Sequence, residues 1–236
     1  MSITRLLQMG ASVNLPETAS IVTDQLLIHI DAADPASYSG SGSTWSDISG
    51  NSNDATLVGS PTYTTVDAGG EFYFDGATQY GDFGINQSFS EATFCMWIKR
   101  DGAQAASAGL MFSRSSRTHG FNFKGTNNTL GHHWDNGAWP YDSGLLVPDN
   151  EWAMIALAVQ STKADFYLYE STGSSTATNT ATYVTVTIDE LRLAYDDYSS
   201  TRSFKGYIGE AFLYDKALTS TEMTANFDAT KSRYGL

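Results

Sequence analysis

The chain has 236 residues, of which 41% are hydrophobic and 17% are charged, which is the composition of a folded protein and not of a disordered one. Its 13 basic and 26 acidic residues give a formal net charge of -13. A field of that sign repels nucleic-acid phosphates and anionic lipid surfaces, so we expect neither nucleic acid nor a bare membrane as a partner. The length suits one large β domain, and one domain is the expectation.

Residues 1–24 are polar, contain Pro16 and have only one short apolar segment, at Leu6 and Leu7. No apolar run of signal-peptide length occurs there, and no stretch approaches a membrane span, so we expect synthesis in a cytoplasm. We predict an extended arm, which is either a loose terminus or an assembly element laid on a neighbouring subunit. The single Cys95 lies in the apolar run "ATFCMWIK", which excludes a disulfide framework and indicates a buried small side chain.

From Gln25 onward, short apolar segments recur between clusters of Gly, Ser, Asn, Asp and Pro, a pattern that predicts the strands of a sandwich or jelly roll. In chain order they are "LLIHID", "ATLVG", "EFYFD", "ATFCMWIK", "GLMFS", "GFNFK", "EWAMIALAV", "DFYLYE", "YVTVTI", "ELRLAY" and "FKGYIGEAFLYD". In "DFYLYE", Phe166 and Leu168 are expected to point one way and the two tyrosines the other. "EWAMIALAV" is apolar on both faces, which predicts a central strand covered on both sides.

Two later segments depart from this strand pattern. Residues 170–183, "ESTGSSTATNTATY", are predicted to form a long polar loop or hairpin with no core residues. The C-terminal "TSTEMTANFDATKSRYG" predicts a short helix of about three turns. Thr219 and Glu222 have the spacing of a capping box, and Gly235 can end the helix.

Signatures of catalysis are mostly absent from the sequence. It contains no G-x-S-x-G elbow, no Walker loop, no G-x-G-x-x-G after a strand and no H-E-x-x-H. Asp165 and Glu170 are five residues apart and fall on opposite faces of a strand, and Glu210 stands alone. We therefore predict no catalytic residues. A glycan hydrolase is the weakest alternative, which stays open because two distant carboxylates can meet in a fold.

The stretch "STWSDISGNSND", residues 43–54, is the first candidate site. It concentrates the oxygen-bearing side chains of Asp47, Asn51, Asn53 and Asp54. Calcium takes six to eight oxygen ligands, and a short loop of this composition supplies several of them. The alternative is a set of tight turns held by local side-chain hydrogen bonds. The sequence leaves both interpretations open.

The stretch "GHHWDNGAWPYD", residues 131–142, is the second candidate site. Its candidate ligand-binding residues are His133, Trp134, Asp135, Asn136, Trp139 and Tyr141. Exposed rings stack on the apolar face of a sugar, while amides and carboxylates take its hydroxyl groups. The alternative is that these rings pack a loop against the sandwich or against another subunit.

The order of these motifs carries a family resemblance. "LLIHIDAADPASY", "TWSDISGNSNDATLVG", "EFYFDGATQY", "FSEATFCMWIKR" and the closing "FKGYIGEAFLYDKALTSTEMTANFDATKSRYG" together resemble the laminin-G-like group of concanavalin A-type jelly rolls, especially the version found in virion proteins of tailed phages. The resemblance covers residues 25–235 and implies an all-β jelly roll of two antiparallel sheets over residues 25–236. It also implies binding or assembly in place of catalysis. Calcium occurs in many relatives at sheet-edge loops, which the resemblance extends to Asp47 and Asp54.

The sequence and the resemblance together predict a non-enzymatic structural protein of a phage virion, either a capsid decoration or a component of the tail or fibre. Residues 1–24 would attach it to other virion proteins, and we expect a homo-oligomer. The alternative is an adhesin that recognises host surface glycans through residues 131–142. The two functions are compatible. Calcium is the one ion that the sequence suggests.

Overall fold

The structure is a computed structural model that describes residues 19–114, 118–135 and 141–236. In chain order the strands are β1 (Leu26–Asp31), β2 (Thr44–Trp45), β3 (Ala55–Val58), β4 (Thr62–Thr64), β5 (Glu71–Asp75), β6 (Tyr80–Phe83), β7 (Gln87–Phe89), β8 (Ala92–Arg100), β9 (Gly109–Ser113), β10 (His119–Lys124), β11 (Thr129–Trp134), β12 (Tyr141–Leu146), β13 (Trp152–Gln160), β14 (Lys163–Glu170), β15 (Gly173–Thr180), β16 (Val186–Ile188), β17 (Leu191–Leu193) and β18 (Lys205–Tyr214). One helix, α1 (Ser220–Thr230), follows them.

The strands form two antiparallel eight-stranded sheets, which confirms the predicted jelly-roll class. The first sheet runs in the order β15-β14-β13-β8-β18-β5-β4, and the second in the order β12-β11-β10-β9-β17-β6-β3-β2. Strand β1 also joins the first sheet, because β18 pairs with β5 along its first half and with β1 along its second half. A small third sheet pairs β7 with β16.

The main core lies between the two large sheets, and a second apolar cluster lies on the outer face of the first sheet beneath α1. Phe166 and Leu168 belong to the main core, and Tyr167 and Tyr169 to the outer cluster, which confirms the alternation predicted for this strand. The predicted central strand, β13, is paired on both sides and contributes to both clusters. Each fully buried large apolar side chain contributes about 1.5–3 kcal/mol, so these clusters dominate the stability.

The helix begins as the sequence predicts. The Thr219 side chain accepts the backbone N–H of Glu222 while the Glu222 side chain accepts that of Thr219. A 3-10 turn, Lys231–Tyr234, follows the helix and lays the Tyr234 ring on Trp97, with 4.0 Å between ring centres. A Cβ at Gly209 would lie 2.6 Å from the Tyr234 hydroxyl, so a glycine is needed beneath that ring.

The described end of the predicted arm is attached to the domain. The Val22 N–H donates to Asn226 of α1 at 2.7 Å, and its carbonyl accepts the Tyr214 hydroxyl at 3.0 Å. Lys216 forms an ion pair with Asp24 at 2.8 Å. Residues 1–18 of the predicted arm lie outside the described residues.

The polar stretch at residues 170–183 is a hairpin, as one of the two alternatives predicted. Its second strand is β15, an edge strand paired with β14. The prediction that it holds no core residue is wrong, because Tyr183 is 4% exposed and packs into the main core. The Tyr183 hydroxyl bonds to His132 at 2.9 Å and accepts from Asn179 at 2.8 Å, contacts that no local pattern reveals.

Candidate functional site

The first candidate loop is organised around the carboxylate of Asp47. One carboxylate oxygen accepts the backbone N–H groups of His29 and Ser49, both at 2.9 Å. The other accepts the Ser49 hydroxyl at 2.8 Å and the Asn53 N–H at 3.0 Å. Asp54 in turn accepts the N–H of Asp47 at 2.8 Å. Protein donors therefore already occupy the oxygens that a calcium ion would need from Asp47.

The two asparagines of the loop face the edge of β1. The amide nitrogen of Asn51 donates to the carbonyl of Leu26, and that of Asn53 donates to the carbonyl of Leu27, each at 2.8 Å. These bonds hold the loop along the edge strand. The pattern favours the turn interpretation, and calcium at these residues stays a prediction.

Residues 131–134 of the second candidate stretch lie in strand β11, which does not expose Trp134. Trp134 is 0% exposed and packs edge-on against Phe94 and Tyr183 in the core. This burial contradicts the expectation that Trp134 is exposed to stack on a sugar and favours the alternative that the ring packs against the sandwich, because alternate residues of β11 face the core. His133 points to the opposite face, where it is nearly buried and bonds to the Asn122 amide at 2.8 Å.

The other members of that stretch do not converge on one site within the described residues. Asp135 accepts the backbone N–H of Thr118 at 3.2 Å. Tyr141 is half-buried and stacks on a buried histidine of β11, with 5.7 Å between ring centres. Asn136 and Trp139 lie outside the described residues.

Burial controls the protonation of the paired histidines. Burial lowers the pKa of His132 to about 4, and burial likewise lowers the pKa of His133 to about 4. Both imidazoles are therefore neutral at pH 7, and neither contributes positive charge to a binding surface.

The outer face of the second sheet carries a continuous row of cross-strand partners. From β3 to β11 the row is Thr56, Asp82, Arg192, Phe112, Gly120 and His133. The Phe112 ring lies over Gly120, where a Cβ would come within 2.1 Å of a ring atom. The glycine thus lets an aromatic ring lie flat in the middle of this face.

A buried carboxylate organises one end of this face. Asp196 is 0% exposed and forms ion pairs with Arg114 and Arg202, the latter at 2.9 Å. The same carboxylate accepts the N–H of Tyr198 at 3.1 Å. The Tyr198 ring is 68% exposed, and the guanidinium carbons of Arg202 and Arg114 lie 4.3 and 5.1 Å from its centre. We call Asp196, Arg114, Arg202 and Tyr198 the tyrosine–arginine cluster.

A second arginine site lies beside the cluster. The Arg192 guanidinium lies 5.1 Å from the Tyr80 ring and 5.7 Å from the Tyr195 ring, and these two rings stack at 5.2 Å. Arg192 is also ion-paired with Glu190 and with Asp197. Planar cationic groups and aromatic rings thus alternate across an otherwise polar face.

The cluster was not found by sequence reasoning. Its residues are dense in "ELRLAYDDYSSTR", where Leu191, Arg192 and Leu193 alternate between the core and the outer face. That alternation was the sequence signal that could have placed Arg192 on the outer face of a strand. The partner Arg114 lies 82 positions from Asp196, a contact that only the sheet order creates.

A further polar group lies under the C-terminal turn, on the outer face of the first sheet. Asp31 and Glu210 are cross-strand partners. The Nε2 atom of His29 is hydrogen-bonded to Oε1 of Glu210 at 2.9 Å. One ligand atom from each of these three residues lies within 4.8 Å of the others, so they have the spacing for a metal ion. However, the Arg233 guanidinium bonds to Asp31 at 2.6 Å and to Glu210 at 2.8 Å.

The carboxylates of that group are therefore balanced by a cation of the chain itself. Burial raises the pKa of Glu210, while its bond to His29 and the charge of Arg233 lower it. The expectation that Glu210 stands alone is wrong, because strand pairing brings Asp31 opposite to it.

No helix in the described part of the chain is long and apolar enough to cross a membrane.

Two packed antiparallel sheets define the class of protein as a β sandwich of the jelly-roll type. The family profile described as "Concanavalin A-like lectin/glucanases superfamily" matches residues 75–224. The chain belongs to that superfamily. No curated protein sequence matches it.

Several solved structures share the fold. Domain 4 of AbnA, an extracellular GH43 arabinanase from Geobacillus stearothermophilus in complex with arabinotriose, aligns with a TM-score of 0.63 and 18% identity over 87% of this chain and 98% of that domain. The binding domain of botulinum neurotoxin DC in complex with SialylT aligns with a TM-score of 0.61 and 10% identity over 88% of this chain and 52% of that chain.

Trypanosoma rangeli sialidase in complex with sialic acid aligns with a TM-score of 0.57 and 12% identity, over 97% of this chain and 36% of the sialidase. This chain therefore spans only about half of the toxin domain and about a third of the sialidase. At these identities the likeness shows the fold alone.

Proposed function

We propose that this chain is a non-enzymatic, glycan-binding lectin-like domain whose binding surface is the tyrosine–arginine cluster. The observation that carries the proposal is Tyr198, which is 68% exposed and whose ring centre lies 4.3 and 5.1 Å from the guanidinium carbons of Arg202 and Arg114. An exposed aromatic face stacks on the apolar face of a sugar, and adjacent N–H donors take the hydroxyl oxygens.

The buried Asp196 supports this proposal by fixing the cluster before a ligand arrives. It bonds to both arginines and to the backbone of Tyr198, so the ring and its flanking donors share one anchor. Of the Arg202 guanidinium, only Nη1 is used by the described residues. The remaining N–H groups are available to a ligand at little further entropic cost, because the side chain is already ordered.

The placement of two buried carboxylates, Asp196 and Glu210, supports a binding function in place of hydrolysis. A glycosidase needs one carboxylic acid and one carboxylate that both reach the sugar. Asp196 is buried between two arginines, and Glu210 lies buried on the outer face of the other sheet. We expect no turnover across a broad panel of polysaccharides, and release of reducing sugar from any of them would contradict the proposal.

The binding test is a glycan array probed with the wild-type protein and matched variants. Tyr198→Ala should abolish the wild-type signal, whereas Tyr198→Phe should keep it because the ring remains. Val66→Ala is the control, since Val66 is an exposed apolar residue between β4 and β5 of the first sheet, whereas the cluster lies on the second sheet. A blank array for the wild type, or undiminished binding by Tyr198→Ala, would contradict the proposal.

We also propose that the domain is displayed on a tailed-phage virion, as a capsid decoration or a tail or fibre component. The resemblance of the motif order to virion proteins supports this role, and so does the polar arm that precedes the domain. The net charge of -13 would keep a densely displayed surface soluble. An adhesin that binds host glycans is compatible with this location.

The arm is best tested by deleting residues 2–18, because residues 21–24 contact the domain. The shortened protein should fold but be absent from purified particles, with the Tyr198→Ala variant as a full-length control that is incorporated. Mass spectrometry of the particles measures both. Incorporation of the shortened protein at the wild-type level would contradict attachment through the arm.

A further inference from the structure

Strand β15 is a long and regular edge of the first sheet. It pairs with β14 without a bulge over all eight of its residues, and six of these residues are exposed. On its other side no strand of the described residues pairs with it. An edge of this kind is a template for another strand.

The hairpin geometry shows which backbone groups are free. Glu170 and Gly173 close a two-residue turn, so they form a hydrogen-bonded pair, and pairs alternate from there along the hairpin. The N–H and C=O groups of Ser174, Thr176, Thr178 and Thr180 then point away from β14. In agreement, the Tyr141 hydroxyl reaches the Thr178 carbonyl from outside at 3.2 Å.

The other edges are more protected than this one, whose outward backbone groups have one partner among the described residues, the Tyr141 hydroxyl of β12. Strand β4 has three residues and β2 has two, and β12 is interrupted by a register shift with Gly144 at a φ of 72°. The outer groups of β1 bond to the 46–53 loop. Strand β15, "GSSTATNT", contains no charge and no proline, the devices that usually block an edge.

We propose that β15 pairs antiparallel with β15 of a second copy of this chain, about a two-fold axis at Ala177. The sequence is nearly palindromic about this residue, so Thr176 lies opposite Thr178 and Ser174 opposite Thr180. These are the four residues whose backbone groups point outward. The register therefore places the outward N–H and C=O groups of these four residues opposite those of the partner strand, and joins the first sheets of two copies into one.

Charge favours this edge as the meeting point of two copies. The chain carries a net charge of -13, so most surfaces of two copies repel each other. The paired strands bring only Ser, Thr, Ala and Asn together, and Thr–Thr pairs across strands are favourable. The carbonyl of Thr178 has two lone pairs, so the Tyr141 hydroxyl leaves one for the partner strand.

The test is sedimentation velocity of the full chain over a concentration series, with the wild type and three variants. Thr176→Pro removes an outward N–H without removing a bond to β14, and Thr176→Lys places like charges near the axis. Thr56→Lys makes the same change at an exposed threonine of β3, away from the edge. Circular dichroism and the urea midpoint verify that each variant folds.

We expect a wild-type species of twice the monomer mass, the same species for Thr56→Lys, and monomers for both Thr176 variants. A wild type that stays monomeric at its highest soluble concentration would overturn the proposal. So would a folded Thr176→Pro that dimerises as the wild type does. The inference does not depend on glycan binding, since a blank glycan array leaves the sedimentation result unchanged.

Discussion

The first sheet has two long edges that are treated in opposite ways. At β1, the outward N–H and C=O of His29 bond to Asp47 and to the backbone of Ile48, and the carbonyl of Leu27 accepts the Asn53 amide. At β15, the Thr178 carbonyl is the only backbone group pointing away from β14 that has a hydrogen-bond partner among the described residues. We call these the sealed edge and the open edge.

The difference shows what the polar loop at residues 43–54 contributes. Its Asp, Ser and Asn side chains substitute for the neighbouring strand that β1 lacks, which explains their density without a bound ion. The side chains of the open edge are of similar size and polarity, but within the described residues they do not hydrogen-bond to the outward backbone groups of β15. Polar composition by itself therefore does not distinguish a sealed edge from an open one; the direction of the hydrogen bonds does.

The largest expected effect is from Asp47→Ala, which breaks the sealed edge. The substitution leaves the backbone N–H groups of His29, Ser49 and Asn53 without their acceptor, whereas the Ser49 hydroxyl can still donate to the carbonyl of Leu27. At about 1 kcal/mol for each of the three lost hydrogen bonds, we expect the free energy of unfolding to fall by about 3 kcal/mol. Urea unfolding measures this loss, and a change below about 1 kcal/mol would contradict the structural role of the loop.

The second effect is a pH dependence of the free energy of unfolding. It arises beneath the open edge, where the Tyr183 hydroxyl is hydrogen-bonded to His132 and to Asn179 of β15. Burial lowers the pKa of His132 from 6.5 to about 4, so between these values the unfolded chain binds a proton that the folded chain does not. Stability should therefore fall as the pH decreases from 6.5 to 4, by up to about 3 kcal/mol from this residue.

His132→Phe keeps an aromatic ring at this position and removes the imidazole that binds the proton. The pH dependence of its urea midpoint should be shallower than that of the wild type, and His133, whose pKa burial also lowers to about 4, should contribute to the dependence that remains. Equal slopes for the variant and the wild type would show that the His132 imidazole does not stay neutral in the folded protein.

A smaller effect is expected from Asn53→Ala, which removes one bond of the sealed edge. The carbonyl of Leu27 loses the amide donor at 2.8 Å but keeps the Ser49 hydroxyl at 3.0 Å. We expect a loss of about 1 kcal/mol in urea unfolding. A loss as large as that of Asp47→Ala would mean that the asparagine has a role beyond this bond.

Thr176→Ala at the open edge should change monomer stability by less than about 0.5 kcal/mol, because its side chain makes no hydrogen bond among the described residues. It is the matched counterpart of the loop substitutions. Measured at a concentration where the protein is monomeric, a loss of several times this size would mean that the open edge is covered within one chain.

The smallest expected effect is that of calcium. Because the Asp47 oxygens already accept protein donors, we expect the melting temperature to be the same with millimolar calcium and with chelator. A ligand bound only by the native state must raise the melting temperature. A clear rise with calcium, lost in Asp54→Asn, would favour the calcium interpretation of the loop over the turn.

The sequence by itself determined the features that depend on local periodicity: the strands of the sandwich, the two faces of β14, the central position of β13 and the capping box at Thr219. These follow from side chains that alternate along one strand or repeat along one helix. Short polar strands such as β12 and β15 were not distinguished from loops, because they bury too few apolar side chains to show the alternation.

Only the tertiary structure decided which polar residues meet. Asp196 contacts Arg114, which is 82 positions away, and Asn53 bonds to the edge of β1. Trp134 lies in the core because it is on the face of β11 that packs against the first sheet. These contacts depend on strand order and on the parity of each register, and a shift of one residue reverses every side chain. A single sequence fixes neither, since both are set by packing between segments that are distant along the chain.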